Sequence, residues 1–506
     1  MIPAACAAGM LLLSFIPRID GNETLAWSFR GAALCLFAWL LCLYVHLVTA
    51  ANATARHFEI VLRKQHYVQA LVQGSVYLYW GYYWRPVYDH AWLLVGQVLF
   101  AYAFDMLLAW SRREKYLLGC GALPIVFSTN LFLWFTDDWF YMQFLMLAVG
   151  LLGKEFVRWR RNGQSTHIFN PSAFALALLS LVLIATGTTE LTWGAQIAAT
   201  LTLAPHIYAY LFLVGLVVMY HFSITLIAAT AAVMLFALSA LYSAITGVPY
   251  FLDSEIPAAV FLGLHLLVTD PSTSPQTALG KTLFGALYGL GVFVLYALLG
   301  ALGVPTFYDK LLCVPLLNLG VQGIDWLAQS LRAPAVGQHQ GTAHLSGANF
   351  AHMSVWATFF VAMTLLGKTD GRHAGDRLPF WQQACSDGRR HACQRLIQLE
   401  TTYCADNSAW ACNELGANYA AGRLVAAEPA RAVQLYSKAC ELRFTAACSN
   451  LLHTQGQQRA VPHLLDLRLL LREGGRNLTD LPPAQLYQRA CEHGWRFACG
   501  NVASLR

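Results

Sequence analysis

His167-Ile168-Phe169-Asn170-Pro171-Ser172-Ala173-Phe174 and, 100 residues further on, Val268-Thr269-Asp270-Pro271-Ser272-Thr273-Ser274-Pro275 carry the same Asx-Pro-Ser core inside strongly apolar surroundings. Proline has no N–H and clashes with the preceding turn, so each core breaks a helix and frees backbone groups that hydrocarbon cannot hydrogen-bond. A motif occurring twice at this distance divides the region into two halves, and paired breaks in corresponding positions of two halves mark a central binding site. Asn170, Pro171, Ser172, Thr269, Asp270, Pro271, Ser272 and Thr273 are therefore the candidate site residues. The competing reading makes each core an ordinary cap, with Asn170 or Asp270 as N-cap and proline in the first helical turn.

Outward from these motifs, apolar stretches recur near 2–17, 31–50, 67–84, 91–110, 116–135, 139–153, 171–187, 206–221, 223–246, 256–269, 282–303, 311–330 and 351–367. They predict an all-α, polytopic membrane protein of about 13 helices. Composition agrees: 57% of the 506 residues are hydrophobic and only 12% charged, against roughly 25% charge in soluble domains. A purely soluble enzyme is excluded. Residues 1–370 hold 33 of the 60 charged residues and the remaining 136 hold 27, so the two regions meet different solvents. Net charges of +1 and +5 are too dilute to form a nucleic-acid surface. Basic residues gather in alternate loops, at Arg56/Arg63/Lys64, Arg112/Arg113/Lys115 and Lys154/Arg158/Arg160/Arg161. The positive-inside rule makes these loops cytoplasmic. Thirteen crossings of a bacterial inner membrane then place residues beyond 370 in the periplasm.

That C-terminal region carries eight of the thirteen cysteines in four C-x7-C pairs: Cys385/Cys393, Cys404/Cys412, Cys440/Cys448 and Cys491/Cys499. Two helical turns and a bend suit disulfides between adjacent helices, which requires an oxidising compartment. Zinc is the weaker reading, because tetrahedral sites favour C-x2-4-C knuckles. Both members of the second pair recur 36 residues later in the third, the sign of a repeat array. Leu415-Gly416, Tyr419, Gly422, Pro429, Leu435-Tyr436, Ala439-Cys440 and Ala447-Cys448 resemble cysteine-bearing Sel-one-like repeats, relatives of the tetratricopeptide helix pair. The resemblance implies an α-solenoid that docks a partner protein. The expected organisation is 1–90, N-terminal membrane helices; 91–330, the motif-bearing membrane domain; 331–370, a loop and last membrane helix; and 371–506, the periplasmic repeats.

Taken with Gly280-Lys281 and Phe284-Gly285, the two proline motifs resemble the RnfD/NqrB family over roughly residues 90–330. These are membrane subunits of Rnf complexes and of the sodium-pumping NADH:quinone oxidoreductase. The resemblance implies two five-helix repeats related to urea transporters, a flavin near the outer face, and a part in coupling electron transfer to ion movement alongside other membrane subunits. One departure bears on the cofactor. Where the family esterifies FMN to the threonine of a Ser-Gly-Ala-Thr motif, this chain reads Glu190-Leu191-Thr192-Trp193-Gly194-Ala195-Gln196. The Gln196 amide cannot form that phosphoester, so a noncovalent flavin or a quinone is expected in place of covalent FMN. A solute channel keeping the fold without the redox role, and a membrane-anchored assembly scaffold, are the alternatives. Asp105, His221 and His265 are ionisable groups in apolar runs, where charge is expensive and usually functional; Asp105 is also placed to pair with Arg112, and His206 with His221 invites a bis-histidine haem reading. No metal site, P-loop, GxGxxG or HExxH motif is found.

The topology is open to a direct test. Membrane-impermeant thiol alkylation of intact bacteria is expected to label the C-terminal cysteines only after reduction. Free reactivity without reductant would remove the disulfides, and protection after reduction would reverse the orientation.

Overall fold

The computed structural model describes residues 2–49, 55–161, 163–252, 254–331, 347–369, 373–376, 378–405, 407–453 and 488. It is helical, with two two-stranded ladders as its only sheets among these residues. The chain divides into two compact units, Met1–Leu238 with Ile256–Asp370, and Ser239–Glu255 with Gly371–Arg506.

Among the described residues, six helices are long and apolar enough to cross a membrane: Glu23–Thr49, Ala91–Arg112, Thr225–Thr246, Ala278–Ala301, Thr306–Ser330 and Gly347–Leu365. A seventh arises if Gly194–Leu203 and Ile207–Phe222, bent by 100°, are taken as one broken span. Thirteen apolar stretches thus do not become thirteen full-length helices among the described residues. The stretch at 116–135 resolves into a strand, Lys115–Leu118, and the nine-residue helix Ala122–Asn130, while 256–269 holds another nine-residue helix, Ala258–Leu266. At 1.5 Å per residue each is about 14 Å long, half of a roughly 30 Å hydrocarbon core. Every residue of Ala258–Leu266 is buried, so its apolar character answers to protein packing and not to lipid. Hydropathy cannot distinguish the two.

Two sets of five helices follow one another in the same order. The first is Lys64–Tyr83, Ala91–Arg112, Ala122–Asn130, Tyr141–Phe156 and Pro171–Thr186; the second is Ile207–Phe222, Thr225–Thr246, Ala258–Leu266, Ala278–Ala301 and Asp309–Ser330. In both sets the first helix packs on the short third and the fourth packs on the fifth. The two first helices also pack on each other, as do the two fifth helices. This is the contact pattern of a pseudo-two-fold arrangement. Side chains take the carbonyls at the end of Ala122–Asn130: Asn130 Nδ2 donates to the Val126 carbonyl at 2.8 Å, the Tyr77 hydroxyl to the Phe127 carbonyl at 2.7 Å, and Trp134 Nε1 to the Asn130 carbonyl, which are the partners that a helix ending inside an apolar region needs. Asn130 Oδ1 in turn accepts from Gln97 Nε2 and Gln143 Nε2, both at 3.1 Å, with His90 Nε2 at the same distance, and all four of these residues are buried.

Within the second unit, helices Leu378–Ser386, Ala392–Ala405, Ala409–Ala421, Pro429–Glu441 and Thr445–His453 pack in succession. Disulfides join Cys385 to Cys393, Cys404 to Cys412 and Cys440 to Cys448, each from one helix to the next, with Cα–Cα separations of 4.6, 4.6 and 4.8 Å. Cys491 and Cys499 lie outside the described residues. Three residues after the first cysteine of each pair, the chain turns through the left-handed region at Gly388, Asn407 and Arg443. That conformation ends a helix in a tight turn, which brings the next helix back within disulfide reach. Trp381, Leu396, Trp410, Leu415 and Tyr436 form the core, to which Val248 of the Ser239–Glu255 segment contributes.

Gly215 lets two helices approach closely, because a Cβ there would lie 2.0 Å from Cδ2 of the buried His265. Gly215→Ala is expected to lower thermal stability in detergent, since overpacking of about 1–3 kcal/mol outweighs a helix-propensity gain of about 1 kcal/mol. Gly31, whose added Cβ would meet nothing within 4 Å, is the control: Gly31→Ala is expected to be neutral or stabilising.

Candidate ligand site at the proline motifs

The chain enters the first motif through a hairpin in which Arg158–Arg161 pairs antiparallel with Gln164–His167. Gly163, at φ 77°, supplies the left-handed residue of its turn. Asn170 then caps the helix Pro171–Thr186: its Oδ1 accepts from the Ser172 and Ala173 amides at 3.1 and 3.3 Å, and from Ser172 Oγ at 2.7 Å. The cap reading is therefore correct for this motif, and it does not exhaust the residue. Asn170 Nδ2 donates to the Leu267 carbonyl at 3.1 Å, just beyond the short helix Ala258–Leu266. The Asn170 N–H donates to Asn318 Oδ1 at 3.2 Å, and Asn318 Nδ2 donates to the Thr273 carbonyl at 3.2 Å.

The second motif is a turn with no helix beginning at its proline. Asp270 Oδ1 accepts from the Ser272 amide at 2.9 Å and from Ser272 Oγ at 2.6 Å; Ser274 Oγ donates back to the Asp270 carbonyl. Thr269 Oγ1 donates to the His265 carbonyl, closing the last turn of the short helix. His167 of the hairpin sits 3.0 Å from Ser272 Oγ and 3.9 Å from Asp270 Oδ2. Burial by itself would raise the Asp270 carboxyl, but His167 and the bonds from Ser272 hold it below the ordinary carboxylate value. Arg161 completes the strap, donating to the Ser274 carbonyl at 2.9 Å and pairing with Asp325 at 2.6 Å.

Both motifs thus meet in one hydrogen-bonded cluster, but not as symmetry mates. Asn170-Pro171 opens the fifth helix of its set, whereas Asp270-Pro271 follows the short third helix of the other. The expectation of equivalent breaks is corrected on that point. The cluster also sits at the end of the helices that bears the basic loops, away from mid-span, and it borders a cavity of about 370 Å³ whose walls include Arg63, His66, Lys154 and Arg158. Burial, then the fields of Lys154 and Arg63, push His66 below its ordinary value against the opposing pull of Asp270.

Asp105 lines this cavity and takes Lys154 at 3.7 Å and the Tyr116 hydroxyl at 3.1 Å as partners. Arg112, the partner read from sequence, pairs instead with Glu155 at 3.3 Å, and it is the helix Tyr141–Phe156 that brings Lys154 to Asp105. His265 is buried in the second set, its Nδ1 2.8 Å from the Phe261 carbonyl and its ring against Trp356. His206 precedes and His221 nearly ends one helix, Ile207–Phe222. Fifteen residues of rise put them about 22 Å apart, too far to share one haem. Gln196 lies in the short helix Gly194–Thr200 with its Oε1 buried and unpartnered. The nearby Thr192 hydroxyl donates to the Thr189 carbonyl at 3.0 Å. Among the described residues no group of three or more His, Cys, Asp or Glu side chains is placed to hold a metal ion.

Compared with family models, curated proteins and solved structures, the chain matches none. Asn318 was absent from the sequence-based candidates. An asparagine in the apolar run Leu316-Leu317-Asn318-Leu319 was the available signal, since a buried amide needs partners.

Replacing Asn318 by Leu leaves the Asn170 N–H and the Thr273 carbonyl unpaired, a loss of about 1–3 kcal/mol per orphaned group. Asn170→Asp keeps the cap and removes the donor to Leu267, so thermal unfolding is expected to rank Asn318→Leu below Asn170→Asp and both below the parent chain.

Proposed function

We propose that this chain is an integral membrane subunit of an electron-transfer complex, with the ligand-handling site at the junction of the two proline motifs and the cysteine-stapled array docking a soluble partner. One observation carries the reading. Asn170 of the first set and the Leu267–Thr273 segment of the second are bonded to each other directly and through Asn318, so the two sets of helices build one site between them. That is the organisation expected of an RnfD/NqrB-type subunit. Gln196 favours a noncovalent flavin or a quinone, and the partners are further membrane subunits and a periplasmic protein.

Topology fits the same reading. If each nine-residue helix crosses together with the chain segment beside it, all thirteen crossings stand, the three basic loops lie inside as their shared cavity requires, and the disulfides lie in the periplasm. The left-handed turn recurring three residues after the first cysteine of each described pair supports an α-solenoid of Sel-one-like units.

A second reading, solute conduction, is favoured by the paired half-length helices Ala122–Asn130 and Ala258–Leu266, each flanked by the first helix of its own set. The visible absorption spectrum of the purified protein separates them. Flavin bands, bleached by dithionite, are expected for the redox subunit; a colourless preparation that moves solute across liposome membranes would replace that reading with the second.

A further inference from the structure

The cavity beside the motifs has a charge imbalance that neither reading uses. Five cationic side chains line it, Arg63, Arg113, Lys115, Lys154 and Arg158, against three carboxylates, Asp105, Glu155 and Asp270. Each carboxylate is already engaged. Asp105 takes Lys154 and Tyr116, Asp270 takes Ser272 and faces His167, and Glu155 is shared by Arg112 and Arg113. Lys115 is neutralised from outside the cavity by Glu59. Arg63 has no ion pair among the described residues, and Arg158 bonds only the Oγ and carbonyl of Ser165.

Backbone geometry adds to this field. The helix Ala122–Asn130 begins at Gly121 without a side-chain cap, and Gly119, Gly121 and Ala122 line the cavity. Pro124 of its first turn has no N–H and the Leu123 N–H bonds the Cys120 carbonyl, so what this helix start brings to the cavity wall is the positive end of its dipole and the Ala122 amide. A Cβ on Gly121 would come 3.2 Å from the His66 ring, so the glycine keeps this wall thin. Burial first, and then the fields of Lys154 and Arg63, lower the proton affinity of His66 on the same wall.

We propose that this cavity binds a phosphate-bearing anion, with Arg63 and Arg158 as its charged anchors and the N-terminus of Ala122–Asn130 as the backbone contact. Two guanidinium groups without carboxylate partners match the planar, multi-donor recognition that phosphate oxygens require. At about 370 Å³ the cavity falls in the range of ligand clefts and has room for an organic group beyond the phosphate. The ligand is either a soluble phosphate ester or the headgroup of an anionic phospholipid. The inference stands apart from the redox reading, since no electron carrier is needed for it.

The full chain in phosphatidylcholine nanodiscs, at constant ionic strength, provides the test. Inorganic pyrophosphate is titrated in one arm, and a fraction of the lipid is replaced by phosphatidylglycerol in the other, with the thermal midpoint as readout. A midpoint that rises with pyrophosphate but not with chloride assigns a soluble ester; a rise with phosphatidylglycerol alone assigns a headgroup. In either case R63Q and R158Q are each expected to weaken the effect about tenfold or more, the loss of one charge-assisted hydrogen bond. R85Q, at a site outside the cavity, is expected to change nothing. No rise in either arm, or a rise that R63Q and R158Q leave intact while their unliganded midpoints match the parent, overturns the proposal.

Discussion

Hydrocarbon offers no hydrogen bonds, so a helix that stops inside an apolar region must find partners for its end groups within the protein. In this chain side-chain amides meet that requirement. Asn130, held by Gln97 and Gln143, returns its Nδ2 to the Val126 carbonyl at the end of one short helix, and Asn170 reaches the carbonyl just beyond the other. Asn318 joins the backbones of both motifs. Without these residues the two nine-residue helices would leave polar groups unpaired, and each interruption would cost more than its packing returns. The site exists because the breaks have to be satisfied, and satisfying them draws segments from both helical sets together.

That requirement also explains the site's location. Arg161 bonds a motif carbonyl and Asp325 at once, and this pair together with the hairpin Arg158–His167 pins the Asp-Pro turn to the basic end of the helices. The same end gathers cations from three loops, and only some of them have carboxylate partners. A cavity bordered by a polar backbone cluster and by surplus guanidinium groups is suited to an anion, whatever the two sets of helices do beyond it.

The C-terminal unit solves a different problem in a different solvent. Its helices are short, Leu378–Ser386 and Thr445–His453 having nine residues each, and helices of that length are marginal alone in water. Disulfides across three of the four described turns limit the freedom of the unfolded chain, and the aromatic core of Trp381, Trp410 and Tyr436 buries the inward faces. Regular placement of the left-handed residue at Gly388, Asn407 and Arg443 makes the three disulfide-stapled turns alike.

Much of this was legible in the residues themselves. Apolar runs and scarce charge specify membrane helices because burial of charge in hydrocarbon is expensive, and the C-x7-C spacing specifies neighbouring helices because a disulfide reaches only about 6 Å between Cα atoms. The Asx-Pro-Ser cores announced their breaks for the same local reason, proline's missing N–H. What the linear order could not settle was whether an apolar residue faces lipid or protein. Ala258–Leu266 reads as a membrane span and is a wholly buried half-helix. Nor could it settle which element reaches a given side chain: Asp105 pairs with Lys154 across two helices, and Asn170 finds Asn318 148 residues away. Those pairings depend on how helices pack, a property of the whole folded chain, and they turned two recognisable breaks into one site.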